Sequence, residues 1–509
     1  MTDGHSTASA GGVLAATCLS TLVVNANTSA VSILLPAISE DTGTSVSTLQ
    51  WAVTGYSLVG AAVIVTSGSL GDVFGRKRVF QLGLLLFVAS CVLIALSTSG
   101  TGVIVGRLVQ GAAGATILAC GLSLLSVASD GGDQLRRVSL WGAAAAVGAA
   151  AGPLLGGVLV GVTGWQGLFW IDAGVAIVCM VITFVTVAES RDPDRPRSID
   201  YAGTFLVALT LVPLILGVSE SGSWGWLSLP TLGCLALSVV AGWLFVVVEQ
   251  RVAVPLLDLA LLRNRILVGS TLAILIGAGT INALMYLLSL YFQNPVALGF
   301  TPLQAGLATL PATVGLVVVA PLVPRFAQRI GGRQTIGAGF LVTTAGFVVV
   351  GLTQASWTYV AFLLPLVAIA VGMGLSNGPS SSAATAAVPQ EQVGGASGVS
   401  NMARYVGAAV ATALAATIYS SVDANRQADG ASPADALAAG LAAASWVMAV
   451  FSGLGVLLAV VAIRRHRAAQ GTLQDSAAAA AAHLMTLPTT ASGSSRGPGP
   501  GAAAGGAAP

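Results

Sequence analysis

Charge is what this 509-residue chain has least of. Asp, Glu, Lys and Arg together make up 8% of it, against roughly 25% in a soluble domain, while 55% is hydrophobic and the mean hydropathy is +0.88. Such a chain cannot clothe a water-facing surface, so it reads as a polytopic membrane protein. Lysine is nearly absent. The lone Lys77 is followed by Arg78, so no Gly-Lys-Ser/Thr phosphate loop exists and ATP does not drive the protein directly. Histidine is confined to His5, His466 and His483 in the two tails, which leaves the apolar runs without an imidazole base. Gly374-Leu-Ser-Asn-Gly378 formally matches Gly-x-Ser-x-Gly, yet it ends an apolar run and follows no strand, so a hydrolase is discounted. The cysteines, Cys18, Cys91, Cys120, Cys179 and Cys234, sit inside apolar runs without metal-ligand spacing and read as small core residues. No metal or cofactor is expected. The net charge of +2 is spread over short loops, which excludes a nucleic-acid surface.

What is present is a succession of apolar runs. They fall near 12–37, 48–70, 80–98, 102–127, 138–162, 166–187, 202–219, 228–249, 266–292, 302–323, 335–353, 357–377, 394–420 and 440–463. Each is long enough to cross ~30 Å of hydrocarbon as a helix, giving fourteen spans. The first has no basic flank and is too long for a cleaved signal, so it stays as the first helix. Of the 21 basic residues, 18 fall in the even-numbered loops and the C-terminal tail. The positive-inside rule therefore puts both termini in the cytoplasm. The expected organisation is an N-tail over 1–11, a six-helix bundle over 12–188, a linker with two helices over 189–265, a second six-helix bundle over 266–463 and a disordered, Ala/Gly/Ser/Pro-rich C-tail over 464–509.

The two bundles read as repeats. The turn Gly75-Arg-Lys-Arg78 between helices 2 and 3 has a degenerate echo, Gly331-Gly-Arg-Gln334, between helices 10 and 11, with Gln328 where the first copy has Asp72. Parallel repeats of this kind place a binding site at the interface of the halves, near the bilayer midplane.

Several side chains stand out. Asp72 ends helix 2, where the helix dipole disfavours an anion, so it needs positive partners, and Arg76, Lys77 and Arg78 are adjacent. On helix 5, Gly148, Gly152 and Gly156 share one face and permit close helix packing, while Pro153 should kink the helix. Arg107 and Arg404 lie inside spans, as does Asp172, the one acid clearly within the bilayer; such groups face a cavity or a partner, or snorkel to the surface.

The chain resembles the fourteen-helix drug:proton antiporter branch of the major facilitator superfamily over nearly all of its length outside the tails. Gly68-Ser-Leu-Gly-Asp72-Val-Phe-Gly75-Arg76-Lys77-Arg78 is similar to the superfamily's loop between helices 2 and 3. Arg107-Leu-Val-Gln110-Gly111 resembles the buried Arg-x-x-Gln-Gly element, and Gly148-Ala-Ala-Ala-Gly152-Pro153-Leu-Leu-Gly156-Gly157 the antiporter motif. Asn27-Thr-Ser-Ala-Val-Ser-Ile-Leu-Leu-Pro36 resembles the branch's helix 1 motif, with Asn27 where aspartate is usual; Asp172 stands where asparagine is more frequent.

The resemblance implies an all-α fold of two six-helix bundles with two inserted helices, alternating access, and a cytoplasmic latch in which Asp72 approaches the start of helix 13 near Gly394. It also implies a substrate cavity reached by Asn25, Asn27, Tyr56, Gln110, Trp170, Tyr286, Asn401 and Arg404. Because Asn25 and Asn27 do not titrate, Asp172 is the candidate proton carrier, with Arg107 as its exchangeable partner; a cap or ion pair near the outer surface is the alternative for Asp172. The expected activity is export of hydrophobic, cationic drugs from the cytoplasm in exchange for protons, by a monomer in the cell membrane, the cation preference resting on aromatic faces. An exporter of one endogenous metabolite, and a non-transporting sensor, remain open alternatives.

Overall fold

The computed structural model describes residues 10–49, 51–128, 131–190, 200–252, 255–257 and 259–485. Thirteen helices are long and apolar enough to cross a membrane, and a bent pair supplies a fourteenth span. In chain order they are α1 (Ala10–Thr42), α2 (Trp51–Phe74), α3 (Arg76–Ala95), α4 (Gly100–Val127), α5 (Gly131–Thr163), α6 (Gln166–Thr186) and α7 (Tyr201–Ser219). There follow α8 (Leu229–Glu249), α9 (Arg265–Gln293), α10 (Gln304–Ile330), α11 (Gly332–Val350), α12 (Tyr359–Ala386), α13 (Val393–Ala428) and α14 (Pro433–Ala462).

Helix is the only economical choice in a medium without water, because every backbone donor and acceptor must be satisfied within the segment. Polar residues follow the same rule: the hydroxyls of Thr28, Thr116, Thr183 and Thr343 each donate to the carbonyl four residues back. The ends are set by caps. Ser99, Asp200, Ser228 and Asn264 accept backbone N–H bonds at the starts of α4, α7, α8 and α9. Apolar side chains face outward freely, with Phe184 75% and Leu364 76% exposed; in water this would drive aggregation, and in lipid it is the natural surface.

Each half has its own core. Phe80, Phe87, Trp141 and Phe169 cluster in the first, and Leu284, Phe292, Phe362 and Leu441 in the second. Equivalent pairs of helices meet through glycine. A Cβ on Gly148 of α5 would collide with the Leu22 carbonyl of α1, and one on Gly407 of α13 with the Leu275 carbonyl of α9. Gly75 and Gly331 turn the chain with the same backbone shape, φ 110° and ψ 125° against φ 92° and ψ 147°, a region other residues rarely adopt. Helices α7 and α8 pack on one another, and α7 also touches α2 and α13.

Three expectations need correction. The tenth span is broken into Pro302–Ala308, Leu310–Val319 and Val323–Ile330, because Pro302, Pro311, Pro321 and Pro324 each remove a backbone donor. Helix α12 runs nine residues past the apolar run that ended at 377, to Ala386; its last turns are serine-rich but buried, with Ser380 and Ser381 each 1% exposed, so hydropathy misses them. The residues from Ile463 on form a separate unit, and the described part of the stretch expected to be disordered is helical to Met485. Alanine has the highest intrinsic helix propensity and needs no core to express it. Residues 1–9 of the expected N-tail and 486–509 of the C-tail lie outside the described residues.

Candidate transport site

The Gly75 turn places Asp72 and Arg76 one helical turn apart across the break between α2 and α3. Arg76 Nε and Nη2 donate to Asp72 Oδ1 (3.0 and 2.7 Å), and Arg76 Nη2 also donates to the Gln390 carbonyl (2.7 Å). The start of α13 supplies the rest: Gly394 N–H donates to Asp72 Oδ1 and Gly395 N–H to Asp72 Oδ2, both at 3.0 Å. Asp72 is fully buried and Arg76 2% exposed. An anion unfavourable at the end of its own helix is thus held by the positive end of a helix from the other half. The contact requires bare backbone, since a Cβ on Gly68 would strike the Gly394 carbonyl and one on Gly394 would strike Asp72.

Other bonds link the halves at this end: Ser126 Oγ and Gln134 Nε2 donate to Thr385 Oγ1, and Ser397 Oγ donates to the Ala119 carbonyl. Lys77 and Arg78 were expected in this latch and are elsewhere. Their backbone N–H groups donate to the Glu189 carboxylate, and Lys77 Nζ donates to the Phe184 carbonyl (3.0 Å). They hold α3 to the end of α6, within one half. In the second half, Gln328 is exposed, and no equivalent of the Asp72 contact is formed there among the described residues.

Towards the opposite end lies a buried polar chain. Arg107 Nη1 donates to Asn27 Oδ1 (2.5 Å) and to Gln110 Oε1 (2.5 Å), and Arg107 Nε to the Ala52 carbonyl (3.0 Å). Asn27 Nδ2 in turn donates to Asp172 Oδ2 (2.7 Å). The guanidinium stacks 4.2 Å from the Tyr56 ring centroid, and Gln110 Nε2 reaches Cys91 Sγ (3.0 Å). Asp172 is 4% exposed and Arg107 and Asn27 are fully buried. A bare guanidinium at this depth costs at least ~2.5 kcal/mol, which the carboxylate on α6 offsets through the Asn27 bridge.

Between the halves is a cavity of ≈ 230 Å³. Its apolar wall is mostly alanine, methionine and leucine, and its polar groups are Asn25, Trp141, Asn282, Asn377, Asn401 and Arg404. Arg404 donates to Asn377 Oδ1 (2.9 Å) and Ser381 Oγ (2.5 Å) of α12 and lies 5.5 Å from the Trp141 ring centroid.

Of the cavity residues expected from sequence, Asn25, Asn401 and Arg404 line it. Asn27, Tyr56 and Gln110 do not, because Arg107 recruits all three. Trp170 and Tyr286 are 49% and 38% exposed and do not line it either. Sequence gives depth along a helix but not rotation about its axis. The aromatic faces expected on the cavity are thus not among its lining, apart from Trp141, and among the described lining residues the full charge is that of Arg404. Trp141, Asn282, Asn377 and Ser381 were not singled out from sequence. Asn282 had a signal: it repeats Asn25, each donating to the carbonyl four residues back at 2.8 Å.

The remaining sequence candidates cluster on α5. A Cβ on Gly152 would collide with Ser29 and Ala26 of α1, and one on Gly156 would press on the Ala30 carbonyl at 3.3 Å, while one on Gly157 would meet nothing within 4 Å. The segments Asp133–Ala149 and Leu154–Thr163 meet at 48°, and the break between them contains Gly152 and Pro153; the ring of Pro153 is outside the described side chains. Gly374–Gly378 lies on continuous helix α12, with Ser376 Oγ donating to the Met373 carbonyl (3.4 Å).

The sequence model of the Major Facilitator Superfamily matches residues 17–412. The chain belongs to that superfamily. Among relatives, it is 31% identical to the multidrug efflux pump LfrA of Mycolicibacterium smegmatis over 407 residues, 80% of each chain. It is 29% identical to the tetracenomycin C resistance and export protein of Streptomyces glaucescens over 408 residues, 80% of this chain and 76% of the relative. Among solved structures, the human organic anion transporter MFSD10 superposes with a TM-score of 0.63 at 15% identity, covering 88% of this chain and 99% of that one. At that identity the likeness concerns fold alone: a multi-pass major facilitator of two packed halves.

Proposed function

We propose that this major facilitator is a secondary exporter that moves small, largely apolar drugs or antibiotics out of the cytoplasm in exchange for protons. The observation that carries the reading is that α1 bears both Asn25, on the cavity wall, and Asn27, which bridges Arg107 to Asp172. Residues two apart point to opposite sides of a helix, so α1 has one face on the cargo and the other on a carboxylate. Protonation of Asp172 removes the charge that Asn27 and Arg107 face, and α1 shifts against the glycine face of α5. Arg107 is then the partner that exchanges between carboxylate and neighbours, and the Gly148–Gly157 stretch is where α5 slides and bends.

The basic loops orient both termini to the cytoplasm, in a bacterial-type cell membrane, so the Asp72 latch closes the cytoplasmic end. One chain supplies both halves and the whole cavity, and the monomer is the working unit; no enzyme chemistry is involved. The relatives support export, and their names include both multidrug pumps and single-antibiotic exporters. A dedicated exporter of one metabolite is accordingly the second reading.

The test is purified protein in proteoliposomes, with an imposed pH gradient and a panel of chemically unlike dyes and antibiotics. Gradient-dependent accumulation of several compounds is expected. Accumulation of one alone selects the dedicated exporter, and saturable binding without flux refutes transport in favour of a sensor.

A further inference from the structure

We propose that Arg404 is the anchor for an acidic group on the transported molecule, and that the cavity selects lipophilic acids bearing hydroxyl groups. The inference rests on the exporter reading and adds the substrate class. Arg107 and Arg404 lie in the interior of spans, the first fully buried and the second partly so, and they differ in one respect. Arg107 is joined through Asn27 to Asp172, within one network. Arg404 meets only neutral groups among the described residues: the Asn377 carboxamide, the Ser381 hydroxyl and the Trp141 face. No aspartate or glutamate lines the cavity, and the ion pairs of the described residues, at Arg76, Arg78 and Arg137, lie elsewhere.

Donors are left over on this wall. Arg404 Nε and Trp141 Nε1 are both buried without an acceptor, and both residues line the cavity. A buried donor without a partner is costly, and a buried cation without a counter-charge more so. The missing group is an anionic oxygen, which must arrive with the ligand. Asn25 and Asn282, also on the lining, spend an N–H on their own helices, donating to the Thr21 and Ala278 carbonyls, and Asn401, one turn before Arg404 on α13, has its Oδ1 buried and unpaired. Their carboxamide oxygens suit a hydroxyl or amide N–H. With the alanine, leucine and methionine of the remaining wall, the complement is an apolar ring system that bears an acid and hydroxyls. Sulfonate, carboxylate and phenolate share this chemistry.

The experiment uses the full chain in neutral-lipid nanodiscs with three probes of one shape: 2-naphthoate, 2-naphthalenemethanol and 2-naphthylmethylammonium. The acid should bind about tenfold or more tightly than the alcohol, as expected for a charge-assisted bond, and the ammonium least. Arg404→Gln should bring the acid-to-alcohol ratio to about one, and Arg404→Lys should keep part of it. Trp141→Phe, which keeps the ring and removes Nε1, should lower the ratio without abolishing it and serves if Arg404→Gln does not fold. A tighter ammonium, or an unchanged ratio in Arg404→Gln, overturns the proposal. So does competition by chloride or formate at the naphthoate concentration, which would make this a site for small anions in general. Naphthoate binding without gradient-driven uptake keeps the site and removes the exporter reading; uptake of the ammonium alone does the reverse.

Discussion

Replacing Asp72 by asparagine is the most informative single change at the latch, because its cost separates into a part common to both conformations and a part specific to the closed one. Asp72 and Arg76 are four residues apart, so their ion pair survives when the halves separate. Its loss weakens both states and nearly cancels. What exists only when the latch is closed are the bonds from Gly394 and Gly395 N–H to the two carboxylate oxygens, and the bond from Arg76 to Gln390. A hydrogen bond to a charged group contributes about 1.5–3 kcal/mol. Asparagine keeps one oxygen but presents an NH₂ to the other donor, so one such bond is lost and a donor–donor contact added, roughly 2–4 kcal/mol against closure. Every 1.4 kcal/mol is tenfold, which moves the equilibrium toward the open latch by about 30- to 700-fold. Hydrogen–deuterium exchange of the amides at 390–400, in nanodiscs, measures this directly, and efflux should fall while membrane abundance stays near that of the parent. Unchanged exchange together with normal efflux would refute the reasoning and leave the loop a topology element. Because the pair is buried, the effect should also resist added salt.

Asp172→Asn should stop gradient-driven accumulation while leaving downhill exchange intact; persistence of uphill transport in reconstituted protein sinks its role as proton carrier. The exchanged pair Asn27→Asp with Asp172→Asn, which returns the acid to α1 beside Arg107, should restore coupling that Asp172→Asn alone has lost. Gly148→Ala and Gly407→Ala should each destabilise by about 1–3 kcal/mol through overpacking, read as lowered thermal midpoints, whereas Gly161→Ala, with nothing within 4 Å, should match the parent. Glu189→Gln should loosen α3 from α6 and cost about 0.5–2 kcal/mol as a lost cap, without raising exchange at 390–400; a rise there would place Glu189 in the latch.

How far the sequence reached is set by what a one-dimensional pattern encodes. Hydropathy located the spans, since length and apolarity are the constraints a bilayer imposes, and it failed where interior helix is polar, as in the serine-rich end of α12. The Gly75 and Gly331 turns were legible because only glycine tolerates that backbone shape; the helix dipole called for a positive partner to Asp72, and its placement near the start of α13 came from the family resemblance alone. Rotation was not legible. Trp170 and Trp141 are equally plausible cavity residues on composition, and only packing shows the first half-exposed and the second against Arg404. The tail over 464–509 was expected to be disordered because helix formation was equated with core burial, and its described part is helical to Met485.

The buried chain on α1, α4 and α6 shows why an acid can change helices without disordering the protein. Asn27 has both a donor and an acceptor, and it uses the acceptor on Arg107 and the donor on Asp172. An aspartate at 27 beside an asparagine at 172, the arrangement the family resemblance makes usual, satisfies the same two bonds with the amide reversed, so the geometry is conserved while the charge moves. The distance to Arg107 is not conserved. With the acid on α1 the guanidinium touches it directly; with the acid on α6 a neutral carboxamide stands between, and no direct ion pair is formed among the described residues. Coulomb energy falls with distance, so the carboxylate on α6 is held less strongly and gives up less when protonated. In the proposed cycle the carboxamide does not titrate but turns with the proton, and Asn25 on the same helix carries that turn to the cavity. On the proposed mechanism, a relocated acid keeps the linkage between cargo and proton as long as a residue with both a donor and an acceptor stays at position 27.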